Sequence, residues 1–79
     1  MSTRDRYDAV FMNSISVPKE ELNDSLTYES VPTWDSIGHM SLIAGLETEF
    51  SVSLNIDDVI DFSSYTHGIE ILKKYNIEI

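Results

Sequence analysis

Between Ser36 and Phe50, Leu42, Leu46 and Phe50 recur every four residues, with His39 and Ile43 on the same side. The run holds no proline, and its only β-branched residues are Ile37, Ile43 and Thr48. This is helix periodicity, not strand alternation, and it predicts an amphipathic helix with a wide core face. Ile37, Met40 and Ala44 form a second apolar line rotated away from that face, which predicts that the helix shows one side to a partner. Asp35 precedes the run as N-cap, since its carboxylate can accept from the unpaired amides of the first turn and favours the positive helix end. Ser36 then falls in the first turn, close to those amides.

The remaining pattern is also helical. Ser2 with Asp5 fits a capping box for a helix from Thr3 to about Ser14, with Tyr7, Val10, Phe11 and Ser14 or Ile15 on one face. Arg4 and Asp8 are spaced to pair one turn apart on its outside. Residues 16–35 make a long connection rich in turn formers, in which Pro18 to Leu22 can form a single helical turn. Such long connections are uncommon and tend to be functional or disordered; Leu22, Leu26, Tyr28 and Val31 are spaced to pin this one to the core. Trp34 reads first as a packing anchor and second as a recognition residue. Ser51 to Leu54 reads as an extended connector with Val52 and Leu54 pointing inward. Asn55 then caps a short helix through about Ile60, with Ile56, Val59 and Ile60 apolar. Asp57, Asp58 and Asp61 lack the spaced ligands and glycine of a calcium loop and read as a solvated acidic face. Ser63 or Ser64 caps a last helix to about Tyr75, with Tyr65, Ile69 and Leu72 on one side, Lys73 and Lys74 complementing its negative end, and Gly68 explained by close packing.

The predicted fold is therefore all-α, a four-helix bundle with three longer helices, one short one and a long first loop, in a single domain over residues 1–79. Its expected core is Phe11, Leu26, Leu42, Leu46, Phe50, Val59, Ile69 and Leu72. Seventy-nine residues, 42% of them hydrophobic, can bury one small core. With no cysteine, neither a disulfide nor a thiolate zinc site supports it. The first residues lack an apolar signal-peptide core and no apolar run reaches the ~20 residues of a membrane span, so the expectation is a cytoplasmic protein without membrane insertion.

The net charge of −9 is uneven: between Glu20 and Leu72 there is no lysine or arginine, yet eleven of the fourteen carboxylates lie there. That field repels nucleic acid and attracts basic protein surfaces, or serves solubility alone. Catalytic chemistry is sparse. His39 and His67 are the only histidines, no glycine-rich phosphate loop occurs, and a Ser36–His39 nucleophile pair would still need an oxyanion hole and a cleft. His39 reads instead as a core-edge residue with its second nitrogen hydrogen-bonded.

A hydroxyl at a helix N-terminus is a favourable place for a phosphate, because free amides and the helix dipole stabilise the anion. Asp35-Ser36-Ile37, within Trp34-Asp35-Ser36-Ile37-Gly38-His39-Met40, resembles the Asp-Ser-Leu signature of acyl carrier proteins and peptidyl carrier domains, with isoleucine for leucine. The longer stretch looks most like the Trp-Asp-Ser-Leu-x-His form of discrete bacterial carriers outside primary fatty acid synthesis. Chain length, acidity and the loop-then-helix order extend the resemblance over nearly the whole chain.

The resemblance implies a non-catalytic carrier whose Ser36 receives 4′-phosphopantetheine from coenzyme A through a phosphopantetheinyl transferase. It further implies that the arm's thiol holds acyl or aminoacyl cargo as a thioester for loading and transferring enzymes with basic docking surfaces. It puts the docking surface on the second helix, here Ile37, Met40, Ala44 and Glu47 with Asp35 beside the arm, on a protein expected to be a monomer. Gly38, Ser41, Gly45 and Thr48 make this helix less acidic than in fatty-acid carriers, which argues against generic fatty-acid synthesis. The alternative from another class is an unmodified acidic helical interaction module in which Ser36 serves only as a helix cap.

Overall fold

Capping side chains set where the helices begin. In the computed structural model, which describes residues 1–79, Ser2 accepts from the Asp5 amide at 3.0 Å and opens α1, Thr3–Ile15. Asp35 accepts from the Gly38 amide at 2.8 Å and opens α2, Ser36–Phe50. Ser64, not Ser63, accepts from the His67 amide at 2.9 Å and opens α4, Tyr65–Lys73. Each such cap is worth roughly 1 kcal/mol. Between α2 and α4 lies the short α3, Ile56–Asp61. Its boundary residue Asn55 makes no side-chain cap; its amide donates to the Tyr75 hydroxyl instead. Both α1 and α2 end at a serine in the left-handed conformation, Ser16 and Ser51, each with φ 54°.

The result is an all-helical bundle of three longer helices and one short one. A long connection follows α1, with a single 3-10 turn at Lys19–Glu21 directly after Pro18. Helices α1 and α2 pack closely at Gly45, where an added Cβ would stand 2.9 Å from a Val10 methyl. Of the expected core, Phe11, Leu26, Leu42, Leu46 and Leu72 are buried, while Phe50, Val59 and Ile69 are half-buried against it. The centre is more aromatic than expected. Phe11 meets Tyr7, Trp34 and Tyr65 at centroid distances of 5.0, 5.6 and 5.3 Å, the first pair tilted and the other two edge-on. Gly68 is required by that cluster, since a Cβ there would strike the Phe62 ring and the Tyr7 hydroxyl.

Polar groups within the cluster are paired. The Tyr7 hydroxyl donates to the Tyr65 carbonyl at 2.7 Å, and the Tyr65 hydroxyl donates to Asp8 at 2.5 Å while accepting from Arg4 Nε at 2.7 Å. Burial pushes both tyrosines up from their ordinary pKa, and for Tyr65 the Asp8 bond adds to it. This corrects the reading of Arg4 and Asp8 as an outward pair. Their charges are 3.9 Å apart, but Asp8 is buried because a tyrosine 57 residues away requires an acceptor.

The short helix differs most from the sequence pattern. Asp58 faces inward and is buried, whereas Ile56 and Ile60 face outward. A carboxylate tolerates burial when charged and hydrogen-bonding partners satisfy it, and Asp58 accepts from Lys74 Nζ and from the Tyr75 hydroxyl, both at 2.5 Å. The three aspartates therefore do not form one solvated face: Asp58 turns to Lys74, and Asp61 turns to His67 Nε2 at 2.9 Å.

Lys74, then Tyr75, hold the Asp58 carboxyl below the usual carboxylate range, and Asp58 in turn raises Lys74. A depressed carboxylate stabilises the fold above its unfolded pKa, and that contribution disappears as pH falls through the folded value. Amide exchange should therefore report loosening of α3 and the segment after Lys73 below about pH 4, and Asp58→Asn should remove that acid step. A pH-independent α3 would overturn the clamp. Raised Lys74 loses its contribution only as pH climbs above the ordinary lysine range.

Candidate functional site

The loop before Ser36 is closed onto itself and onto α4. Glu29 N donates to the Trp34 carbonyl at 2.9 Å, Trp34 N to the Val31 carbonyl at 3.1 Å, and Thr27 N to the Ser30 hydroxyl at 3.0 Å. Glu29 takes a left-handed conformation, φ 66°, to make the turn. Thr27 and Ser64 form an antiparallel bridge, in which Tyr28 N donates to the Ser63 carbonyl and Tyr65 N to the Leu26 carbonyl. Leu26 is buried and Leu22 and Val31 are half-buried, as their spacing predicts; Tyr28 is not, and lies exposed beside His39.

Trp34 is fully buried, so of its two sequence readings packing is the one realised. Its indole N–H donates to His39 Nδ1 at 3.0 Å, and the rings stack at 6.3 Å. The other imidazole nitrogen, Nε2, lies 2.8 Å from the Val59 carbonyl. An indole N–H can only donate and a carbonyl can only accept, so these partners select neutral imidazole with its proton on Nε2. One side chain thus ties the loop, α2 and α3 together. Both nitrogens are committed, which leaves neither to take a proton from Ser36.

Ser36 is the first residue of α2 and is exposed, and the cap is supplied by Asp35 beside it. Among the implied docking residues, Asp35, Ile37, Met40 and Ala44 are exposed. Glu47 is half-buried, and one carboxylate oxygen accepts from the Leu54 amide at 2.9 Å, so it anchors the connector after α2. From Ser36 an open groove of about 400 Å³ runs between α2 and α3, lined by Tyr28, His39, Met40, Ile56, Ile60 and Phe62 among others. Ile56 and Ile60 are the residues that the pattern of the chain did not assign to this place. At i, i+3 and i+4, Ile56, Val59 and Ile60 share one apolar face of α3, and that spacing was the available signal of it.

No helix is long and apolar enough to cross a membrane. Comparison of the chain with protein-family models, curated proteins and solved structures gives no match.

Proposed function

We propose that this protein is a carrier of the acyl carrier type, holding an acyl or aminoacyl thioester on a 4′-phosphopantetheine arm attached to Ser36. The observation that carries the reading is an exposed serine at the start of α2, with the capping oxygen belonging to its neighbour Asp35. In the competing reading, an unmodified acidic interaction module, Ser36 acts only as a helix cap; the capping oxygen of α2 is Asp35's, which favours the carrier reading.

In the transfer, the Ser36 oxygen attacks the phosphorus of coenzyme A that bears the pantetheine, its proton passes to a base, and the nucleotide bisphosphate leaves. With His39 committed, that base belongs to the phosphopantetheinyl transferase. The resulting phosphodiester carries a negative charge, and the amides and dipole of α2's first turn favour an anion at this end of the helix. The protein then contributes position, and its partners contribute chemistry. Ile37, Met40 and Ala44, with Asp35 beside the arm, offer an apolar strip with an acidic neighbour to enzymes bearing basic docking surfaces.

Intact mass after incubation with coenzyme A and a broad-specificity transferase should rise by one phosphopantetheine. Ser36→Ala should abolish the gain while leaving the helix content unchanged, because the cap remains. An unmodified wild-type chain beside a modified control carrier would remove the proposal.

A further inference from the structure

Only a neutral ring can make both of the bonds that His39 makes. Nδ1 accepts from the Trp34 indole N–H at 3.0 Å, on the loop, and Nε2–H donates to the Val59 carbonyl at 2.8 Å, on α3. An imidazolium has two N–H donors and no acceptor. A proton on Nδ1 therefore keeps the bond to Val59, which gains a charged donor, and sets two donors face to face at Trp34. Trp34 is fully buried, and His39 is the one acceptor its indole N–H has. A buried donor without a partner is unfavourable, so the indole must leave its seat to recover one.

The surroundings provide a path for the proton and no dedicated counter-ion. His39 is half-buried and lines the open groove, and the net charge of −9 favours proton uptake over the whole surface. From the loop, the titratable group facing it is Tyr28, whose ring meets the imidazole edge-on at 5.5 Å; after α3, the Phe62 ring meets it at 6.2 Å. From α3 the facing group is the Val59 carbonyl, and the carboxylates beyond it are turned elsewhere, Asp58 to Lys74 and Tyr75, Asp61 to His67. On α2 itself, Asp35 has a carboxylate oxygen on the Gly38 amide, and His39 lies in the first turn, at the helix end that disfavours a cation. None of the four ion pairs of the molecule includes His39.

We propose that His39 is a proton-operated latch on the loop that leads into Ser36. Neutral, it holds Trp34 and the end of the loop against α2; charged, it releases Trp34 while staying on Val59. The loop moves as a piece, because Glu29 N on the Trp34 carbonyl and Trp34 N on the Val31 carbonyl join its turns to the tryptophan. Release therefore loosens the loop and leaves α3 in place, the reverse of the Asp58 clamp, where acid loosens α3. The latch goes beyond the carrier reading, since it concerns the support of Ser36 and holds whether or not the serine bears an arm.

The test is an NMR titration of the full chain, labelled with nitrogen-15, from about pH 8 to about pH 5, the range in which histidine ordinarily changes charge. Ring nitrogen shifts should show the His39 proton on Nε2 alone at the upper end. As Nδ1 takes up its proton, the Trp34 indole N–H and the Glu29 amide should lose at least about ten-fold of their exchange protection at the same midpoint, while the α3 amides hold. Trp34→Phe has no indole N–H to lose, so His39 should charge there without moving the loop amides. His67→Gln and Asp58→Asn, which remove the other titrating contacts of α3, should leave the midpoint where it is. An indole N–H that stays protected after His39 is charged would overturn the latch, as would a midpoint that moves with either of those two variants. So would a ring that carries its proton on Nδ1 at about pH 8, or one that stays neutral down to about pH 5. Because neither coenzyme A nor a transferase is present, these outcomes are separate from success or failure of the mass test at Ser36.

Discussion

Replacing Trp34 with alanine should destabilise the fold by about 3–5 kcal/mol, the range for truncating a fully buried large aromatic side chain. The indole touches Phe11 edge-on at a centroid distance of 5.6 Å and stacks on His39, so its removal opens a void where the loop, α1 and α2 meet. It also leaves His39 Nδ1 without its donor. A domain of this size commonly has only 5–15 kcal/mol of stability, so the variant should show a much lower urea midpoint by circular dichroism. Trp34→Phe separates the two contributions: it restores most of the packing and should retain a loss of roughly 1 kcal/mol for the missing hydrogen bond. A change below about 1 kcal/mol in the alanine variant would mean that the indole is not the packing centre described here.

Gly38→Ala should also destabilise, and the sign is the informative part. In an exposed helix interior, alanine is favoured over glycine by up to about 1 kcal/mol. At Gly38, however, an added Cβ would run into the backbone carbonyl oxygen of Thr33, an atom that no rotamer change can move aside. The adjoining Trp34 is held by its amide bond to Val31 and its carbonyl bond from Glu29, so the loop cannot yield without breaking its own turns. Overpacking of this kind costs typically 1–3 kcal/mol and occasionally more, which exceeds the propensity gain. The clash also disturbs the Asp35–Gly38 cap. A Gly38→Ala variant as stable as the parent, measured by thermal melting, would show that the close approach of loop and helix is absent.

What could be read in advance followed from local periodicity and capping chemistry. Helix α2 has four turns, enough for Leu42 and Leu46 to define one face and Ile37, Met40 and Ala44 another, and Asp35 declares its start. Helix α3 has six residues, fewer than two turns, so apolar positions at Ile56, Val59 and Ile60 cannot say which side is inward. That was decided by Lys74 and Tyr75, 16 and 17 residues further along. Asp8 is similar: its spacing from Arg4 suggested a surface pair, and only the arrival of Tyr65 makes its burial favourable. For the site, the serine, its cap and the outward apolar line of α2 were legible, as was a histidine bonded through its second nitrogen. The contributions of α3 and Tyr28 to the groove were not, because they depend on how the elements meet.

Trp34 is the only tryptophan, and it sits two residues before Ser36 with its indole N–H on His39. Its fluorescence therefore reports a single location, the junction of the loop with α2 and α3, while tyrosine absorbance sums over four side chains, among them Tyr7 and Tyr65 at the α1–α4 contact. The molecule thus carries one local and one distributed native optical label. When tryptophan emission and tyrosine absorbance change together on unfolding, the bundle opens as one cooperative unit; when emission changes first, the platform under Ser36 opens as a local unit of its own.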